Sequence, residues 1–136
     1  MIFLTRRERF SAAHRMFRKD WSDEKNLEVY GKCSNPNWHG HNYVLWVTVK
    51  GETSDNNDFV MNINILKKII QEKVIEKIDH RNINLDVDFM RGKIATTENL
   101  AVAIWNELKP EVEKTGIKLH CIKIEETENN FIEYYG

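Results

Sequence analysis

Along residues 2 to 15 the side chains alternate, with Phe3, Thr5 and Arg7 on one parity and Leu4, Arg6 and Glu8 on the other. A period of two sends successive side chains to opposite faces of an extended chain, so this stretch predicts a first strand. Residues 42 to 51 (NYVLWVTVKG) are β-branched and aromatic with polar residues breaking one face, the strongest strand signal in the chain. A turn-prone SDNND follows. The period then changes: Ile63, Leu66, Ile70, Val74 and Ile78 recur at spacings of three and four, predicting a helix capped by Asn62 that ends near Asp79. TTENL opens a second helix, with Thr96 or Thr97 as cap, a stripe of Leu100, Ile104 and Leu108, and Pro110 and Gly116 marking its decay and exit. The final IKLHCIKIEETENNFIEYY reads as a hairpin turning around Glu128, Asn129 and Asn130. Residues 18 to 38 carry loop composition.

Strands joined as hairpins, with the helices grouped between them, indicate an α+β fold: an antiparallel four-stranded sheet with two helices packed on one face. Such a small open sheet leaves strand edges that pairing with other subunits would cover.

Composition adds bounds. The 136 residues are 41% hydrophobic, which suits one domain spanning 1–136 that buries about two-thirds of the surface of its unfolded chain. Twenty basic side chains nearly cancel twenty-one acidic ones, and no segment gathers a basic patch, so neither nucleic acid nor a membrane surface is expected as a partner. Arg6 and Arg7 interrupt the first apolar residues at once, which leaves no signal segment or membrane span and points to a cytoplasmic protein. Cys33 and Cys121 are expected to stay unpaired there.

The candidate chemistry centres on residues 33 to 43, CSNPNWHGHNY. His39 and His41 flank Gly40; on extended backbone they project to the same side and could reach one metal ion. His14, ending the first strand in FSAAH, becomes a third ligand if the first two strands are hairpin neighbours. Three neutral imidazoles with a fourth position open are the arrangement of a catalytic zinc, whereas H-x-H alone also occurs as two surface histidines at a strand end. Cys33 lies six residues before His39; a nearby metal favours its thiolate as base or nucleophile, or it serves as a fourth ligand that closes a structural site. Asp79 and His80 fall where the first helix runs out, either as an acceptor setting a catalytic imidazole's tautomer or as a solvated turn pair. Of Glu125, Glu126 and Glu128, neighbours 125 and 126 face opposite sides of a sheet; a buried one suits a flat heterocycle with two N–H donors, and otherwise all three are solvated acids. Cys121 reads as a buried structural thiol and His120 as structural or exposed.

Taken in order, FSAAHR (10–15), CSNPNWHGHNY (33–43), VMNI (60–63), IDHRNIN (78–84), TTENLA (96–101) and IEETENN (124–130) resemble the 6-pyruvoyltetrahydropterin synthase family, which includes the 6-carboxytetrahydropterin synthases of queuosine biosynthesis. The resemblance spans nearly the whole chain. It implies a T-fold whose subunits form trimers that stack as a homohexamer with sites at subunit interfaces. It further implies Zn2+ on His14, His39 and His41, Cys33 as the proton-abstracting thiol, Asp79 and His80 as the pair that activates the base and relays protons, and Glu126 with Thr97 holding the pterin. The implied substrate is 7,8-dihydroneopterin triphosphate, with Arg15, Arg18, Lys19 and Arg81 as candidates for its phosphates.

The five residues between Cys33 and His39, and HGHNY itself, resemble the pyruvoyl-forming branch; the queuosine branch has a shorter gap and HGHS. Trp38 departs from the family, standing where the pyruvoyl-forming branch has glycine. The alternatives are a 6-carboxytetrahydropterin synthase on the same substrate, or a catalytically silent pterin-binding paralogue, which would need Glu126 and its pocket but no base.

Overall fold

In the computed structural model, which describes residues 1–136, the first alternating stretch is β1 (Ile2–His14). It pairs antiparallel with β2 (His39–Gly51) from Ile2 opposite Gly51 to His14 opposite His39. Phe10, Ala12 and His14 on β1, and Tyr43, Leu45, Val47 and Val49 on β2, point to one buried face. β4 (Lys118–Thr127) pairs with the other side of β2, and β5 (Asn130–Tyr134) folds back on β4 as the expected hairpin.

The sheet has one strand more than the pattern predicts. β3 (Arg81–Asn82) runs parallel to β1 at Ala12 and Ala13, giving a mixed five-stranded sheet in the order β3-β1-β2-β4-β5. Two residues cannot display an alternation. This strand exists because the His80 and Ile83 N–H groups donate to the Ser11 and Ala13 carbonyls at 2.6 and 2.8 Å. Beyond that short contact the outer edge of β1 from Ile2 to Phe10 is unpaired, as is that of β5.

The stretch read as loop between residues 18 and 38 holds α1 (Asp23–Tyr30) and a 3-10 turn (Gly31–Ser34). Ser22 caps the helix by accepting from the Lys25 N–H, with Asp23 and Glu24 favourable in the first turn. Periodicity misses α1 because it has no apolar stripe: Leu27 and Val29 are exposed and only Asn26 is buried.

α2 (Ile63–Ile70) starts at Asn62 and continues through a π-helical turn (Gln71–Ile75) into α3 (Glu76–Ile78), ending at Asp79 as the pattern requires. Leu66, Ile70, Val74 and Ile78 are fully buried, and the π turn adds Ile75 to the same face. Ile63 alone of the predicted stripe is exposed. α4 (Thr97–Glu113), capped by Thr96, runs past Pro110 instead of decaying there. Pro110 lacks only its own donor, and its carbonyl still accepts from the Lys114 N–H. Leu100, Ile104 and Leu108 close the core against Leu45, Val47, Ile122 and Ile124. No helix is long and apolar enough to cross a membrane.

Leu45 is fully buried on the central strand. Leu45→Ala is expected to destabilise the fold by about 2–5 kcal/mol, measured as a lower denaturant midpoint at unchanged slope.

Candidate active site

The register of β1 and β2 builds the centre. His14 sits opposite His39, and His41 lies two residues further along β2, opposite Ala12. A period of two therefore turns all three imidazoles to the face that carries the core. Their ring centroids lie 4.5 Å (His14–His39), 5.1 Å (His14–His41) and 5.0 Å (His39–His41) apart, and their ligand atoms fall within 4.8 Å of one another. Glycine suits position 40 between the two β2 histidines, since a Cβ there would stand a tight 3.3 Å from the Ala12 carbonyl oxygen.

The donor set fits a metal. The Ala95 carbonyl bonds His14 Nδ1 at 2.7 Å, which places the proton on that nitrogen and leaves Nε2 as a lone-pair donor. His14 Nε2, both ring nitrogens of His39 and His41 Nε2 are buried without a hydrogen-bond partner. Orphaned buried polar atoms cost free energy that coordination of a cation would offset. Burial holds His14 and His39 below the ordinary imidazole range; neighbouring histidines add to the effect, while the Ala95 bond at His14 and Glu126 at both oppose it. Both are thus kept in the neutral, ligating form.

Around this triad stand the other residues singled out in the sequence. Glu126 reaches from the end of β4 to within 3.7 Å of His41 Nε2, while Glu125 pairs with Val44 and faces the other side of the sheet. Thr97, buried in the first turn of α4, donates its hydroxyl to Glu126 at 2.5 Å. Cys33, half-buried in the 3-10 turn, lines one cleft with Met16, Thr97, Glu98 and Glu126. Burial, and then the Glu126 carboxylate, push its thiol above the usual range.

Asp79 and His80 are not in that cleft. Asp79 accepts from the Ser11 N–H at 2.9 Å and from His80 Nδ1 at 3.0 Å, and the His80 ring is largely exposed beside the free edge of β1. The Ser11 bond, reinforced by His80 against partial burial, holds Asp79 below the usual carboxylate range. His80 has φ +59°, and Trp38, directly before His39, has φ +67°. Both are left-handed conformations that a β-carbon disfavours by about 1–2 kcal/mol.

Several contacts that shape the site escaped the sequence reading. Arg15, next to His14, donates from Nε to the Ser34 carbonyl at 2.7 Å and lies 4.1 Å over the Phe17 ring. It ties the end of β1 to the turn that carries Cys33, a link reinforced by the Met16 N–H on the Cys33 carbonyl at 2.8 Å. Asn84 clamps Arg15 from the other side, accepting from its N–H at 3.0 Å and donating to its carbonyl at 2.8 Å. Arg15 is therefore anchored within the fold through Nε, and its remaining guanidinium N–H groups line a separate cavity with Asp23, Ser34 and Asn35. Tyr43, stacked on Phe10 at 4.9 Å, lies beneath His14 and His41, and burial raises its phenol well above the usual range. Tyr43 was legible, continuing the period of His39 and His41; the Arg15 and Asn84 links join distant segments and leave no local signal.

A family model described as 6-pyruvoyl tetrahydropterin synthase matches residues 3–136. The chain is 47% identical over 135 residues to a 6-pyruvoyl tetrahydrobiopterin synthase of Dictyostelium discoideum, covering 99% of this chain and 96% of that one. It is 30% identical over 112 residues to a 6-carboxy-5,6,7,8-tetrahydropterin synthase of Bacillus subtilis, covering 79% of this chain and 73% of that one. The solved Caenorhabditis elegans 6-pyruvoyl tetrahydropterin synthase superposes with a TM-score of 0.92 at 38% identity, over 99% of this chain and 95% of that one.

Because His14 and His39 are held neutral by the fold, their folded-state values lie below the ordinary 6.5. Proton uptake then favours the unfolded chain, so this contribution is intact above 6.5 and is lost as the pH falls through the depressed folded-state values. Thermal unfolding of the metal-free protein is expected to show a falling midpoint below 6.5, and His14→Gln to flatten that fall.

Proposed function

The chain belongs to the 6-pyruvoyl tetrahydropterin synthase family and is a lyase of that type, and we propose that it eliminates triphosphate from 7,8-dihydroneopterin triphosphate and tautomerises the side chain to the diketone in a zinc-dependent reaction. The observation that carries this reading is the meeting of three features: orphaned imidazole nitrogens on His14, His39 and His41, a carboxylate oriented by Thr97, and a thiol in the same cleft. His14, His39 and His41 would hold a Zn2+, which would supply Lewis acidity toward the substrate's side-chain hydroxyls and make the adjoining C–H protons easier to remove.

The chain's own groups do the rest. Glu126, held by the Thr97 hydroxyl, accepts two N–H donors of the pterin ring and orients the side chain toward the triad. Cys33 takes the proton. In the metal-free chain burial and Glu126 raise its thiol, and a divalent charge on the neighbouring triad opposes that shift and favours the thiolate. His80, its Nδ1 held by Asp79, returns a proton to the enol during tautomerisation.

In a single chain this pair lies on the β1 edge, away from the Cys33 cleft. We therefore place the site at a subunit interface in a homohexamer of two stacked trimers, in which the pair of one subunit serves the thiol of the next. The unpaired edges of β1 and β5 support that assembly, since joining them continues the sheet from one copy to another. The same reading places the protein in the cytoplasm, where Cys33 stays reduced. Pyruvoyl formation is favoured over carboxylate formation by the 47% identity to the Dictyostelium relative against 30% to the Bacillus one. Neither nucleic acid nor a membrane enters the reading.

Incubation with dihydroneopterin triphosphate, with product identified by mass, is expected to give the 6-pyruvoyl pterin; a 6-carboxy product would assign the other branch. Cys33→Ala is expected to lower kcat by about 10²–10⁴-fold while zinc content and unfolding midpoint persist. Chelation should abolish turnover and leave the fold intact, whereas unfolding on chelation would indicate a structural zinc. Co-expression of Cys33→Ala with His80→Asn, which keeps a residue tolerant of the left-handed backbone, is expected to regain activity that neither variant shows alone. Failure to regain it would place the pair and the thiol of each site in the same subunit and overturn the shared interface.

A further inference from the structure

The turn that carries Cys33 is fastened to the end of β1 at two adjacent carbonyls. The Met16 N–H donates to the Cys33 carbonyl at 2.8 Å, and Arg15 Nε donates to the Ser34 carbonyl at 2.7 Å. Met16 also lines the Cys33 cleft. The place of the thiol in that cleft therefore depends on how the peptide unit between Arg15 and Met16 is turned.

β1 ends at His14, so no strand holds this unit. Asn84 takes the place of one. Its side-chain carbonyl accepts from the Arg15 N–H at 3.0 Å and its amide donates to the Arg15 carbonyl at 2.8 Å, continuing with a side chain the ladder that the Ile83 N–H begins on the Ala13 carbonyl. The two polar groups of a trans peptide point in opposite directions. The Arg15–Met16 unit is thus bonded by Asn84 on its carbonyl side and by Cys33 on its N–H side, and hydrogen bonds in series through one peptide strengthen each other. Asn84 is itself held, since its N–H donates to Asn82 Oδ1 at 3.0 Å and the Asn82 N–H donates to Asp86 Oδ2 at 3.0 Å.

We propose that Asn84 is a positioning residue for the reaction, fixing the Cys33 thiol through the Arg15–Met16 peptide from outside the cleft. The proposal rests on the lyase reading above. Proton abstraction needs the sulfur at a set distance and angle from the C–H bond, whereas binding of the pterin uses Glu126 and Thr97, to which Asn84 is not bonded. Asparagine suits the position because Arg15 offers one backbone donor and one acceptor. Aspartate has the same shape and serves only the donor.

The test compares zinc-loaded wild type with Asn84→Asp, which removes the bond to the Arg15 carbonyl. Val112→Ala, a cavity at the opposite end of α4 from Thr97, supplies a loss of stability away from the site. The quantities read are kcat and KM with dihydroneopterin triphosphate, zinc content, and the rate at which iodoacetamide alkylates Cys33, with the Cys121 background taken from Cys33→Ala. Asn84→Asp is expected to lower kcat by about 10–100-fold at nearly constant KM and full zinc content. Its Cys33 should alkylate about fivefold faster, the increase in local opening that one lost hydrogen bond allows. Val112→Ala should match the wild type in both. Asn84→Ser, which shortens the side chain and adds no charge, repeats the comparison if the aspartate variant does not fold. In an active protein, either effect without the other, neither effect, or equal changes in Val112→Ala overturns the proposal. Absence of turnover in the wild type would reject the lyase reading, and the alkylation comparison, which needs no substrate, would still decide whether Asn84 holds the thiol.

Discussion

The site depends on one register. His14 faces His39 across the β1–β2 ladder, and a slip of one residue would turn the whole of β1 over, moving His14 to the open face and Phe10 and Ala12 out of the core. The hydrophobic effect therefore holds the metal ligands in place indirectly. Burial of Phe10, Tyr43, Leu45 and Val47 locks the pairing, and the three imidazoles inherit their convergence from it.

That convergence is costly without an occupant. Four ring nitrogens are buried with no partner, and burial depresses His14 and His39 and raises the Cys33 thiol, which favours the neutral form of those three groups. A cation bound there would take one nitrogen from each imidazole, three of the four, and would oppose the Glu126 field felt by Cys33. The site is built as a set of groups waiting for one positive charge, which is why the same cleft reads as inert alone and as chemically able when filled.

Backbone strain marks the two flanks. Trp38 and His80 both adopt left-handed φ values that glycine would accept without cost, and each lies directly beside a functional element: His39 in one case, Asp79 and the start of β3 in the other. At Trp38 the indole lines a cavity with Phe17, Leu85 and Ile94. His80 keeps its imidazole bonded to Asp79 and turned toward the free edge of β1. The exposed edges of β1 and β5, an aggregation risk in an isolated chain, become the means of assembly in the proposed hexamer.

Much of this was present in the residue order. Period two marked β1, β2 and the final hairpin, period 3.6 marked α2 and α4 with their caps at Asn62 and Thr96, and motif order carried the family together with its His, Cys, Asp and Glu positions. These are local properties, written in spacings of two, three and four. Tertiary structure alone decided the two-residue β3, the stripeless α1, the Ala95 bond that leaves His14 Nε2 as the donor, the Arg15–Ser34 and Asn84–Arg15 links, and the cavity lined by Trp38. Apart from α1, which simply lacks an apolar stripe, each of those joins segments far apart in the chain, and no short-range period records which distant groups will meet when a core closes.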